Sequence, residues 1–189
     1  MKTKFRDLLF RIWYWYVSNI DKNAEVLFMN YGYTSPDQKL DLEPHDEPNR
    51  YPIQLYHHLA AAVDLSGKSL LEVGSGRGGG LAFVAKNFPL KSTVGIDLNH
   101  RAAAFCSKHY KIDGLSFKQG DAQNLDLPDN SFDAVLNVES SHRYPDFAAF
   151  LGEVKRVLKP GGHFLFTDFR YDWEMEALKK DLENTGFKL

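Results

Sequence analysis

The sequence predicts an α/β domain built on a mostly parallel, doubly wound sheet. Three observations carry this. Short aliphatic or β-branched runs alternate with amphipathic stretches, the links between them are short, and the first run ends in a cluster of glycines, Gly74-Ser75-Gly76-Arg77-Gly78-Gly79-Gly80. Parallel strands are covered by helices on both faces, so they read as continuous apolar runs rather than alternating ones.

The elements follow in order. Ile53, Leu55, Tyr56, Leu59, Ala60 and Val63 form a stripe of helical period, predicting a helix from just after Pro52 to near Asp64. Ser69 to Val73 is a short strand that runs into the glycines, and a helix is predicted from Leu81 to Asn87. Ser92 to Ile96 is a β-branched strand ending at Asp97, followed by a helix from Arg101 to His109. Leu115 to Lys118 is a third strand, ending at Gly120-Asp121, and Phe132 to Val138 is a fourth, around the apolar run Ala134-Val135-Leu136. A helix is predicted from Phe147 to Leu158, closed by Lys159-Pro160-Gly161-Gly162. His163 to Thr167 is the fifth strand, and a last helix runs from Trp173 to Asn184 before Thr185-Gly186. In such sheets ligands bind at the carboxyl ends of the strands.

The first 48 residues differ from the rest, giving a two-part division: an N-terminal helical lid or appendage over residues 1–48 and a ligand-binding domain over 49–189. Lys2, Lys4 and Arg6 precede an aromatic run ending in Trp13-Tyr14-Trp15-Tyr16, which predicts a basic, aromatic helix from Phe5 to Asn19. The run is too short to span a bilayer, which takes about 20 apolar residues, and no cleavage site follows it. Packing on the domain and peripheral contact with a membrane surface both suit such a helix. With 189 residues, 43% hydrophobic and 25% charged, the chain is globular rather than disordered or fibrous. A net charge of -2 gives no basic field for nucleic acid, so none is expected as a partner. The single cysteine, Cys106, excludes an internal disulfide and a cysteine-held zinc, and points to the cytoplasm; no metal is expected.

Gly74, Gly76 and Gly79 satisfy G-x-G-x-x-G, with Asp97 at the distance of a ribose-binding acid. The loop alone admits either NAD or S-adenosylmethionine. Glu72 discriminates, because a carboxylate beside a pyrophosphate repels it, whereas beside an α-ammonium it attracts. Asp121 adds a carboxylate that can accept from the exocyclic amine of adenine. Acids at three successive strand ends suit a ligand bearing a diol, an adenine and an ammonium, so S-adenosylmethionine is the expected cofactor.

The series Glu72-x-Gly74-x-Gly76-x-Gly78, Gly95-Ile96-Asp97-Leu98, Gly120-Asp121-Ala122 and Leu158-Lys159-Pro160-Gly161-Gly162 resembles that of class I S-adenosylmethionine-dependent methyltransferases. The resemblance implies a Rossmann-like fold, places Glu72 and Gly74 at the methionine end, and makes Ser75 and Gly76 of the same loop cofactor-binding. It assigns Asp97 to the ribose hydroxyls, Leu98 to the adenine face, Asp121 and Ala122 to the adenine edge, and the backbone of Asn137 to the ammonium. A narrower likeness joins Asp46-Glu47-Pro48-Asn49-Arg50, Leu55-Tyr56-His57 and Asn137-Val138-Glu139-Ser140-Ser141-His142 to the mycobacterial phthiotriol and phenolphthiotriol dimycocerosate methyltransferases, which methylate a hydroxyl on a long lipid. In Phe28-Met29-Asn30-Tyr31-Gly32-Tyr33, Tyr31 and Tyr33 are candidates for covering the methionyl group, or for the core. A class I domain continues into two further strands after its last helix, and the sequence is expected to lack these.

Methyl transfer to an alcohol needs a base within hydrogen-bond reach. His142, just past the fourth strand, is the candidate, since imidazole changes charge near neutrality, and Glu139 is expected to orient it. The resulting expectation is a cytoplasmic O-methyltransferase acting on a hydrophobic or lipid-like hydroxyl compound. Its rivals are a C- or N-methyltransferase of the same fold and a cofactor-binding but inactive module.

Overall fold

The computed structural model describes residues 25–35 and 39–188. The aromatic helix expected at residues 5–19 lies outside the described residues. Within the N-terminal part, residues 25–35 form an extended strap without helix, and residues 39–48 lead through turns into a short 3-10 turn at Glu47–Asn49.

Helix α1 spans Arg50–Ala60, strand β1 Ser69–Val73, α2 Gly79–Asn87, β2 Ser92–Asp97, α3 His100–His109 and β3 Leu115–Gln119. These are followed by β4 Phe132–Val138, α4 Phe147–Val157, β5 Leu158–Thr167 and α5 Met175–Asn184. The sheet order is β3-β2-β1-β4-β5, with every pair parallel. Strand order reverses between β1 and β4, which sets a ligand crevice at the carboxyl ends there.

Helix α1 begins at Arg50 rather than after Pro52, because a proline costs nothing in a first turn whose N–H groups have no intrahelical partner. Asn99 and Asp146 cap α3 and α4, accepting from Arg101 N at 3.0 Å and Ala149 N at 2.9 Å. Helix α2 has no side-chain cap; Gly78 sits at φ 76°, and Gly79 N–H donates to Leu27 O in the strap at 3.1 Å.

One expectation is corrected. Lys159-Pro160-Gly161-Gly162 does not merely close a helix: β5 starts at Leu158 and passes through it. Leu158 pairs with Phe132 and pairing resumes at Ala134 with His163, so the extra residues are absorbed as an irregularity in the ladder. Lys159 Nζ fastens it to Asp133 at 2.8 Å.

All five residues of β1 are buried. Alternation along the strand sends Leu70 toward α1, α2 and α3, where it packs with Tyr56, Leu81, Val84 and Leu136. Leu71 and Val73 face the other way, toward Phe150, Leu151, Val154 and Val157 of α4. The sheet is thus covered on both faces, which leaves the ends of the strands for a ligand to reach.

Candidate functional site

A cavity of about 1170 Å³ lies across the carboxyl ends of the strands and is lined from every one of the loops after β1, β2, β3 and β4. A smaller cavity of about 320 Å³, between Asp64, Lys68, Lys159 and His163, lies at the opposite end of the sheet, away from the glycine loop.

The floor of the large cavity is the glycine loop. Gly74 stands at φ 80° and Gly76 at φ 52°, conformations an L side chain rarely adopts. A Cβ on Gly74 would also lie 2.6 Å from Tyr144 Oη and meet Ser140 Oγ. Gly76 N–H donates to Asp97 Oδ2 at 2.8 Å and Asn99 N–H to Asp97 Oδ1 at 2.8 Å, so the carboxylate at the end of β2 is held rigidly at the cavity wall. Gly74, Ser75, Gly76, Asp97, Leu98, Asp121 and Ala122 all line the cavity. Leu98 is 68% exposed, as a platform for a flat ring would be. Asp121 Oδ1 also accepts from Gln123 N at 2.9 Å, so this residue caps a turn as well. Below the loop, the Cys106 thiol meets Gly76 O at 3.4 Å, and burial pushes its pKa up to about 12, so it offers no nucleophile.

Two expected ligand contacts are not at the surface of the cavity. Glu72 does not line the cavity. It shares the face of Leu70, is fully buried, and its Oε1 accepts from Tyr56 Oη at 2.7 Å, while Oε2 has no hydrogen-bond partner. Burial raises its pKa to about 8; the Tyr56 bond opposes that rise, and the nearby Asp97 adds to it. Asn137 is fully buried as well. Its Nδ2 donates to Val73 O at 2.8 Å and Ser140 Oγ at 2.8 Å, tying β4 to the glycine loop from beneath.

The strap covers the floor. Arg77 Nε donates to Val26 O at 3.3 Å, and Tyr31 N donates to Glu139 Oε2 at 2.8 Å. Tyr31 lines the cavity with its ring against Phe169. Tyr33 does not line it; it stacks on His58 at 4.4 Å, as a tyrosine packed against the core would.

His142 lines the cavity, in a turn over Ser141–Arg143. Its orienting group is Asp168, not Glu139: Nδ1 lies 2.7 Å from Asp168 Oδ1, whereas the Glu139 carboxylate is bonded to the strap. Asp168, just beyond β5, also accepts from Ser141 Oγ at 2.6 Å and His142 N at 2.8 Å, and pairs with Arg170 at 2.8 Å. Burial pushes this carboxyl up, but the bonds from His142, Ser141 and Arg170 outweigh it and hold the pKa below the ordinary value. An ionised carboxylate only accepts, so Nδ1 carries the proton and Nε2 is the basic nitrogen. Arg143 Nε donates to that nitrogen at 3.1 Å. Asp168 was findable by the rule that finds Asp97 and Asp121, an acid at a strand's carboxyl end. Among the described residues no cluster of His, Cys, Asp or Glu is arranged to hold a metal ion.

Fold and cavity together define a Rossmann-like domain whose glycine-floored cavity is lined by the strand-end acids Asp97 and Asp121. Residues 71–166 match the family described as "Methyltransferase domain". The chain is 51% identical to a fatty-acid O-methyltransferase of Mycolicibacterium smegmatis, covering 93% of this chain and 65% of the relative. It is 46% identical to a phthiotriol/phenolphthiotriol dimycocerosates methyltransferase of Mycobacterium tuberculosis, covering 94% and 67%. Among solved structures, the cyclase SpnF superposes with a TM-score of 0.69 at 21% identity, over 93% of this chain and 70% of that one. A SAM-dependent methyltransferase from Aquifex aeolicus gives 0.62 at 20%, over 78% and 90%. The chain belongs to the methyltransferase-domain family, with the likeness to the mycobacterial lipid methyltransferases read from its motifs. It spans about two thirds of the length of these curated relatives.

Proposed function

We propose that this chain carries an S-adenosylmethionine-dependent O-methyltransferase acting on a hydrophobic, lipid-like acceptor. The observation that carries the reading is one cavity in which the strand-end acids Asp97 and Asp121 and the Asp168-oriented His142 share a wall with apolar Met29, Leu98 and Phe169. The residues fit the cofactor. The loop offers positive-φ glycines where a side chain would crowd the floor, Asp97 is positioned by two backbone N–H groups, and Leu98 is exposed beside it. S-adenosylmethionine, when bound, supplies an electrophilic methyl group.

The chain's own residues do the rest. Asp97 would hold a ribose diol and Asp121 an adenine edge. The Asp168 carboxylate keeps His142 in the tautomer whose Nε2 accepts a proton from an acceptor hydroxyl, once Arg143 yields that nitrogen. Holding donor and acceptor in line supplies about 7–11 kcal/mol of the barrier reduction. The strap acts as a lid over the cavity of the domain beginning near residue 49, tied to it through Arg77 and Glu139. For the basic aromatic segment at the N-terminus, packing on the domain is the first reading and peripheral membrane contact the second; the location read for the protein is cytoplasmic, with no nucleic-acid partner.

The test is transfer of a labelled methyl group from S-adenosylmethionine to lipid extracts, followed by mass spectrometry of products heavier by one methylene. Label on oxygen of an alcohol or carboxyl supports the reading. Label on carbon or nitrogen, or cofactor binding with no transfer to any acceptor, refutes it.

A further inference from the structure

The cavity crosses the sheet in the order β3, β2, β1, β4, with Asp121 at one end and Gly74 and Glu139 at the other. Three strand spacings separate the two ends, about 14 Å. A ligand with its base at Asp121 and its sugar at Asp97 therefore has to place its remaining group beside Gly74 and Glu139. Glu72, the carboxylate nearest in sequence to the loop, is walled off under it. Among the described residues, the other carboxylates on the cavity wall are Asp97 and Asp121, which belong to the sugar and base end.

Glu139 is set apart by its backbone and its surroundings. It stands at φ 45°, a strained position for a side-chain-bearing residue, directly after β4. The carboxylate is half-buried, and Oε2 accepts Tyr31 N–H at 2.8 Å. Among the described residues, no cationic side chain forms a hydrogen bond or ion pair with it, since the one nearby imidazole is bonded to Asp168. Burial raises its pKa, the Tyr31 N–H opposes that, the Asp168 charge adds to it, and His142 opposes it. A half-buried carboxylate that has one N–H partner and a second oxygen left over can take a cation brought by a ligand.

We propose that Glu139 is the anionic anchor for the primary ammonium of the bound cofactor, so that one carboxylate joins the ligand's amino-acid end to the strap through Tyr31. The proposal rests on the cofactor reading above. It displaces both expected anchors, Glu72 and the Asn137 backbone, and leaves the orientation of His142 to Asp168.

The test compares two ligands that differ at the amino-acid end. Calorimetry measures S-adenosylhomocysteine and 5′-methylthioadenosine, which lacks the ammonium, on the wild-type chain and on Glu139→Gln. Glutamine keeps the size and an oxygen for Tyr31 N–H, and removes only the charge. The variant is expected to bind S-adenosylhomocysteine about 10- to 100-fold more weakly, the size of a lost charge-assisted hydrogen bond, with methylthioadenosine affinity unchanged. Equal affinity of variant and wild type for S-adenosylhomocysteine, or an equal loss for both ligands, overturns the proposal while the cofactor reading stands. A wild-type chain that binds neither ligand overturns the cofactor reading and this proposal with it. If Glu139→Gln does not melt cooperatively, Glu139→Gly, which suits the positive φ but also frees Tyr31 N–H, is used instead, and the methylthioadenosine affinity then reports the part of any loss that comes from the strap.

Discussion

Replacing Glu72 by glutamine tests the least expected feature of the site, a buried acid that does not touch the cavity. Folded Glu72 keeps its proton up to about pH 8, whereas in an unfolded chain the same group releases it near 4.5. The folded state therefore binds more protons than the unfolded one between these values. Its contribution to stability is full below pH 4.5 and is lost as pH rises toward 8. The gap corresponds to about 5 kcal/mol, of which about 3 kcal/mol is lost by pH 7. Glu72→Gln keeps the acceptor for Tyr56 Oη and places an amide nitrogen where Oε2 has no partner. That nitrogen adds an offset that does not change with pH. Asp133, Glu153 and Asp168 have lowered pKa values and contribute the opposite slope, but they do so equally in both proteins. Urea unfolding at intervals from pH 4 to pH 9 isolates the difference. The variant is expected to gain on the wild type by about 5 kcal/mol across that range. Parallel stability curves would show that Glu72 is ionised in the folded protein, and the account of the loop's underside would fail.

Three further outcomes follow from the same geometry. Asp97→Ala should weaken S-adenosylhomocysteine binding by about 1–3 kcal/mol by calorimetry, with the loop at Gly76 losing its backbone bond as well. His142→Ala should lower turnover about 10²–10⁴-fold with cofactor affinity retained, and Asp168→Asn should lower it in the same direction by releasing the tautomer; near-normal turnover in both would make the pair structural. Gly80→Ala should destabilise the fold by about 3 kcal/mol in thermal or denaturant unfolding, because its Cβ would run into the Tyr56 ring that lies over α2 and reaches Glu72.

What the sequence determined by itself is the frame and one wall of the site. Ser69–Val73 and Phe132–Val138 were legible to the residue because buried parallel strands are unbroken apolar runs between polar or glycine links. Asp97 and Asp121 were legible because an acid at a strand's carboxyl end has to lie where ligands bind in such a sheet. Tertiary structure decided the rest. Period two puts Glu72 on the face of Leu70, but only the packing of α1 decides that Tyr56 closes over it and keeps it from the cavity. The partner of His142 is set by the pairing of β4 with β5, which brings Asp168 to it from 26 residues away, whereas sequence proximity favoured Glu139. The strap is the extreme case. Residues 25–35 have no period of their own, and their place is fixed by hydrogen bonds from Gly79, Arg77 and Gln54 to the strap's backbone carbonyls and from its own N–H at Tyr31 to Glu139. Backbone groups are the same at every residue, so a sequence does not show where such bonds will form; only the folded surface that offers the partners does.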